Sequence, residues 1–204
     1  MVLALLLGLL HSAPARAQET VAAGGSEWVI NFSTGVARPE GGLFGSQWKR
    51  GTTLLLGIGG QMSTHFEMGA EFGYVQFKPA GDSIAVPGIG AGDNVWQMWR
   101  LRLKARRFFA SDEAKIAPFV SAGLGLYPIG VQSTDSLGTI KVTLSGKGVS
   151  IGGGVDYRVG DTVHFGLEGQ YHYVKTDVAI VRYKAAPLLE ILFAIRWFPG
   201  GPSS

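Results

Sequence analysis

The chain has 204 residues, a formal net charge of +3, 31 glycines and no cysteine; 46% of its residues are hydrophobic and 16% are charged. The charge is too small to argue for nucleic acid, and the lack of cysteine removes disulfide frameworks, thiol chemistry and thiolate-held metals. Beyond the N-terminus no apolar run reaches the length of a membrane-spanning helix, which excludes a helical membrane protein.

Residues 1–17 read as a signal peptide, with an apolar core from Val2 to Leu10 and a small-x-small site, Ala15-Arg16-Ala17, before Gln18. Its removal deletes Arg16 and takes the net charge from +3 to +2. Residues 18–26 form a small polar leader. From Trp28 the pattern has the two-residue period of a strand, with Trp28, Ile30, Phe32, Thr34 and Val36 on one face. Glycine and proline mark a loop over 38–50. A second strand is expected over Thr52–Gly60, a turn at 61–64 and a third strand over His65–Phe77. The third strand sets Glu67 and Glu71 on one face and Phe66, Met68, Ala70, Phe72 and Tyr74 on the other.

After a long connection at 78–93 comes the stretch Met98–Arg106, in which every second residue is a cation. As a strand it puts Arg100, Arg102, Lys104 and Arg106 on one face and Trp99, Leu101, Leu103 and Ala105 on the other. Four like charges side by side repel, so either water or opposing carboxylates must meet them. Antiparallel pairing with the third strand would bring Glu67 near Arg106 and Glu71 near Arg102.

A polar turn near 111–113 leads to a fifth strand, Lys115–Tyr127. One side of it is small, with Ala117, Ser121, Gly123 and Gly125 leaving room for long arginines, while Pro118 suggests an edge or a bulge. Pro128–Gly146 is a third long connection, either a loop or a hairpin projecting beyond the sheet. The next strand carries Asp156 and Arg158 on its polar face. The seventh alternates His164, Glu168 and His172 with Leu167, Tyr171 and Tyr173. Lys175–Ala186 is the fourth long connection. The last strand, Pro187–Phe198, opposes Glu190 and Arg196 to Leu189, Ile191, Phe193, Ile195 and Trp197.

About eight strands with alternating long and short connections, in a chain with an export signal, predict an all-β fold: an eight-stranded antiparallel up-and-down transmembrane β-barrel. The bulky apolar face is expected outside. An interior of this size is only wide enough for side chains, and glycines with charges fill it better. Its charges nearly balance, Glu67, Glu71, Asp156, Glu168 and Glu190 against Arg100, Arg102, Lys104, Arg106, Arg158 and Arg196, as a closed lumen requires. These eleven residues form the candidate ion-pair network, structural or gating. Aromatics fall at both ends of the apolar face: Trp28, Phe66, Tyr157 and Trp197 toward the short turns, Tyr74, Trp99, Tyr171 and Tyr173 toward the loops. That is the placement of lipid-interface girdles.

From Glu27 to Phe198 the chain resembles the small eight-stranded outer-membrane barrels of the OmpA transmembrane-domain and OmpX type. The run Ile191-Leu192-Phe193-Ala194-Ile195-Arg196-Trp197-Phe198 is similar to the C-terminal assembly signal of that class, although Pro199-Gly200-Gly201-Pro202-Ser203-Ser204 follows it. The resemblance implies location in the bacterial outer membrane, a periplasmic leader at 18–26, a barrel at 27–198 and a tail at 199–204. It also implies contact with lipid and lipopolysaccharide, and insertion by the barrel-assembly machinery.

No catalytic group, metal site or cofactor is expected. His164, Glu168 and His172 share a face, but positions four apart on a strand are separated by about 13 Å, too far for a relay or a shared metal. Lipid A deacylases of this class place a His and Ser pair on the lipid-facing surface, which is lacking here. The glycine clusters at 57–60, 88–90 and 152–154 have no strand-to-helix context for nucleotide binding. At the loop end Arg38, Lys49, Arg50, Lys78, Lys141, Lys147, Lys175, Arg182 and Lys184 outnumber Glu40, Asp82, Asp93, Asp135 and Asp177, suiting either lipopolysaccharide phosphates or a solvated surface.

Three functional classes therefore stand open. The first is a non-enzymatic plugged barrel acting through its loops in envelope integrity, adhesion or complex association. The others are a narrow gated channel for small solutes or ions, and a soluble lipocalin-like carrier with its apolar face inward. No protein partner is indicated. The exported protein is expected to begin at Gln18, and N-terminal sequencing of the membrane fraction checks this; a start upstream of Ala15 would refute the cleavage site.

Overall fold

A computed structural model of the chain describes residues 27–41, 45–46, 48–80, 93–111, 114–135, 138–176 and 185–199. The expected signal peptide (1–17), the leader (18–26) and residues 200–204 of the tail lie outside the described residues. The strands are β1 (Glu27–Pro39), β2 (Gly51–Ser63), β3 (Phe66–Phe77), β4 (Asp93–Phe108), β5 (Ile116–Leu126), β6 (Ile129–Asp135), β7 (Gly138–Leu144), β8 (Gly146–Arg158), β9 (Val163–Thr176) and β10 (Ala185–Trp197).

Eight of them close a ring of antiparallel neighbours in the order β1-β2-β3-β4-β5-β8-β9-β10, with β10 returning to β1. β3 and β4 meet with Glu67 opposite Arg106 and Glu71 opposite Arg102, the register that charge pairing predicts. β6 and β7 form a hairpin that pairs along Asp93–Met98 of β4 and carries the wall beyond the ring. The connection at 128–146 is therefore the projecting hairpin. β4 is longer than the alternation of Met98–Arg106 suggests, because β6 partners its first residues.

Pro118 sits inside the closed ring, neither at an edge nor at a bulge. Its carbonyl accepts from the Phe109 N–H at 2.9 Å, so its missing N–H faces the point where β4 has already ended. The irregularity falls in β2, where the register shifts between Gln61 and Ser63 ahead of the turn.

The outward face is apolar: Leu101, Leu103, Leu124, Ile151, Leu167 and Ile191 are 54–66% exposed, while Arg100 and Arg102 are 0% and 1% exposed. A band of that kind around a charged interior asks for lipid. It also overturns the soluble carrier, whose apolar face would turn inward.

The interior has three layers, where the sequence suggests a lumen ionic throughout. Toward the loop end lies an apolar cluster that includes Trp48, Phe77, Trp96, Met98, Tyr127 and Leu188. Trp48 comes from the β1–β2 connection, which is tied down by a bridge to Pro79 and by Lys49 N–H donating to the Lys78 carbonyl at 2.9 Å. The ionic layer follows, and beneath it Phe108, Ala117 and Phe119 form a smaller apolar floor.

Close approach of strands and arginines explains the inward glycines. A Cβ on Gly125 would stand 2.5 Å from the Leu101 carbonyl oxygen and 2.6 Å from Arg102 Cβ. Gly125→Val is expected to cost about 1–3 kcal/mol or more in urea unfolding from lipid vesicles. Gly160→Ala, where nothing lies within 4 Å, should leave unfolding unchanged; equal behaviour of the two variants would refute the packing account.

Candidate functional site

The middle layer gathers ten buried charges, five cationic (Arg100, Arg102, Lys104, Arg106, Arg196) and five anionic (Glu67, Glu71, Asp156, Glu168, Glu190), so its formal sum is zero. All are inward positions of alternating strands, and the bonds run both between neighbouring strands and across the lumen. Arg102 donates through Nε to Glu71 at 2.6 Å, and through Nη1 to Gln170 at 2.5 Å and to Ser150 at 3.3 Å. Lys104 Nζ lies 2.7 Å from Glu168 and 3.3 Å from Glu71. Arg106 reaches Glu67 and Glu168, each at 3.1 Å. Arg196 forks between Asp156 and Glu67, with its guanidinium 5.2 Å from the rings of both Phe108 and Phe198.

A second cluster sits directly beneath the apolar cap. Arg100 donates to Glu190 and to the Thr53 hydroxyl, each at 2.6 Å. His172 Nε2 is 3.0 Å from the same Glu190 oxygen, and Nδ1 is 3.2 Å from the Tyr127 hydroxyl. Tyr127, His172 and Glu190 are all 0% exposed. A tyrosine, a histidine and a carboxylate in series could pass a proton, but here they are enclosed and hold Arg100 in place. His164 lies apart from this cluster, half-buried, its ring 4.6 Å from Phe198.

Arg158 stands apart from the ten. It is half-buried at the short-turn end, opposite His164 in the β8–β9 pairing. Leaving it out turns the near-balance read from the sequence into equality. Thr53, Ser121, Ser150, Gln170, His172 and Tyr127 are network members that reasoning from charge overlooks. The signal that finds them is parity, because each falls on the inward alternation of its strand, Tyr127 continuing that of β5 one residue past its end. A void of about 20 Å³ between Asn31, Glu67, Glu71, Lys104 and Arg106 is large enough for a single water.

On the outer face Trp28, Trp99, Tyr157, Tyr171, Tyr173 and Trp197 are exposed, and Phe66 and Tyr74 are half-buried. The Tyr74 and Trp99 rings are 4.6 Å apart. Among the described residues no group of His, Asp or Glu could hold a metal ion.

The chain matches the family model described as outer membrane protein beta-barrel domain over residues 2–186. No curated protein sequence matches it. Among solved structures it is similar to Neisserial surface protein A, at 15% identity and a TM-score of 0.63, covering 84% of this chain and 96% of that one. It is also similar to OprG of Pseudomonas aeruginosa, at 10% identity and a TM-score of 0.54, covering 86% and 97%. The outer membrane enzyme PagL aligns at 14% identity and a TM-score of 0.40, covering 83% and 98%, too distant to bear on chemistry. These likenesses concern the fold.

Breaking one buried pair should be costly. Glu168 receives Lys104, Arg106 and, at 2.6 Å, the Ser121 hydroxyl. Glu168→Gln is expected to destabilise the barrel by about 3–5 kcal/mol in urea unfolding from vesicles, with Glu168→Gln combined with Lys104→Met recovering much of it. A loss below about 1 kcal/mol for the single change would mean that water already solvates the layer.

Proposed function

The chain belongs to the outer membrane protein beta-barrel domain family, and from that membership we propose that this bacterial outer-membrane barrel is plugged, non-enzymatic and acts through its outward-facing loops. The observation that carries the reading is the filling of the lumen at three successive levels: an apolar cap pinned by Trp48, a neutral ionic layer and an aromatic floor. A solute would have to displace a packed cluster and then separate charges whose partners lie on four different strands. Catalysis is unsupported for a related reason, because the best-placed proton-transfer groups, Tyr127, His172 and Glu190, are sealed beneath the cap.

With the interior occupied, recognition falls to the rim and loops, in adhesion, envelope integrity or association with a larger complex. Among the rim cations, Lys49, Arg50, Lys78, Lys147 and Lys175 are exposed, which supports contact with lipopolysaccharide phosphates. The closing run Ile191–Phe198 supports insertion by the barrel-assembly machinery. The segments 1–17, 18–26, 27–198 and 199–204 are proposed as signal, periplasmic leader, barrel and tail.

A second reading, a narrow channel gated within the charged layer, is favoured by the water-sized void beside Glu67 and Glu71. Planar-bilayer recording separates the two. The plugged barrel should show no discrete conductance steps, and Glu71→Gln should open none. Steps in the wild type that change with Glu71→Gln or Arg102→Gln would establish the channel.

A further inference from the structure

Outside the ring, two adjacent rows of outward side chains cross β5, β8 and β9. Strand pairing sets Leu124 beside Val149 and Val149 beside Tyr173 in one row, and Leu126 beside Lys147 and Lys147 beside Lys175 in the next. The rows are two residues apart along each strand, so all six side chains share the lipid-facing surface. The lysine row is the one nearer the loop end, since β8 begins at Gly146 and β9 ends at Thr176. Between the rows runs an open groove of about 480 Å³, with Gly125 and Gly148 in its floor.

Lys147 and Lys175 stand directly opposite each other, both exposed, and among the described residues no carboxylate pairs with either. Like charges paired across two strands repel, and a border with lipid weakens the screening that bulk water would supply. A bridging anion removes the repulsion. Toward the bilayer centre from the two ammonium groups lies a ledge formed by Leu124, Val149 and the Tyr173 ring, so the surface has the polarity of an amphiphile: a double cation at the headgroup level and a mainly apolar surface below it.

We propose that this groove binds lipopolysaccharide of the outer leaflet, one lipid A phosphate lying between Lys147 and Lys175 and an acyl chain along Leu124, Val149 and Tyr173. The assignment rests on the reading that the basic rim faces the outer leaflet, and it narrows that rim to two lysines on the barrel wall. Lys49 and Arg50, by contrast, lie in the connection between β1 and β2, and Arg38, outward on β1, is already paired with Glu40.

The test uses the mature chain folded in detergent micelles, titrated with bisphosphorylated lipid A and with the fully dephosphorylated lipid. Heat-modifiable migration on a gel confirms that each variant is folded. Lys147→Gln with Lys175→Gln should weaken binding of the bisphosphorylated lipid by about thirtyfold, at roughly fivefold for each single change. Arginine at both positions should keep affinity within about twofold of wild type, since it preserves the charge. Lys49→Gln with Arg50→Gln should have little effect. The dephosphorylated lipid should bind wild type no better than the double glutamine variant does. If the double variant does not fold, the two single variants carry the comparison.

The proposal is overturned if glutamine at both positions leaves binding unchanged, or if the dephosphorylated lipid binds as tightly as the phosphorylated one. Loss of binding in the Lys49→Gln, Arg50→Gln protein alone overturns the groove and leaves the basic rim as the contact. Absence of any lipid A binding to wild type removes both readings together.

Discussion

The structure depends on electrical closure of the lumen. Arg100, Arg102, Lys104 and Arg106 project from one strand into a space walled by protein and, beyond it, by lipid, where an unpaired charge is expensive. One neighbour cannot answer all four. β3 supplies Glu67 and Glu71, β9 supplies Glu168 and Gln170, and β10 supplies Glu190. The cationic strand thus draws on partners around most of the circumference, and closing the ring is also what neutralises the strand. Exchanging buried ion pairs for apolar contacts is often neutral or stabilising, so the layer is better understood as a specifier of register than as a store of stability.

That role is visible at the β3–β4 pairing. A slip of one residue would turn every side chain to the wrong face. A slip of two is harder to exclude, because Glu67 and Glu71 are four apart and would meet cations at Lys104 and Arg100 just as they do at Arg106 and Arg102. Contacts with other strands break the tie. Arg100 is fixed by Glu190 and Thr53, and Gly73 opposite it gives up its side chain to make room for the guanidinium. Small residues and long cations therefore form one device: the glycines admit the arginines, and the arginines fix which glycine stands where.

This separates what the sequence discloses from what it withholds. Two-residue alternation suffices to assign the eight ring strands, the inward parity of Arg100 to Arg106 and the outward aromatics, because strand parity is local. The cross-lumen partners are not local. Arg196 reaches Glu67 across 129 positions and Arg100 reaches Glu190 across 90. Such distances depend on the stagger of a closed sheet, which no single strand encodes. The apolar cap is hidden for another reason. Trp48 belongs to a connection rich in glycine, where no periodicity announces burial; its bridge to Pro79 and the Lys49 N–H bond to the Lys78 carbonyl are contacts of the folded barrel, which the local sequence does not encode. Arg158 shows the limit of parity: it lies on the polar face, yet so near the strand end that it sits at the mouth of the lumen instead of within it.

The two faces of the sheet therefore have different freedoms. Inside, each of the ten buried charges has a partner, so a ligand entering that layer would displace a group whose loss leaves another charge bare. Outside, the apolar band needs only to be greasy, and substitutions there disturb little as long as lipid still wets them. Binding specificity can be written on the outer wall at the rim, where Lys147 and Lys175 face each other with no carboxylate paired to either among the described residues, and where anionic lipid headgroups would supply the counter-charge. The groove proposed at the lysine row is where lipid would change from a solvent of the outer surface to a partner of definite charge.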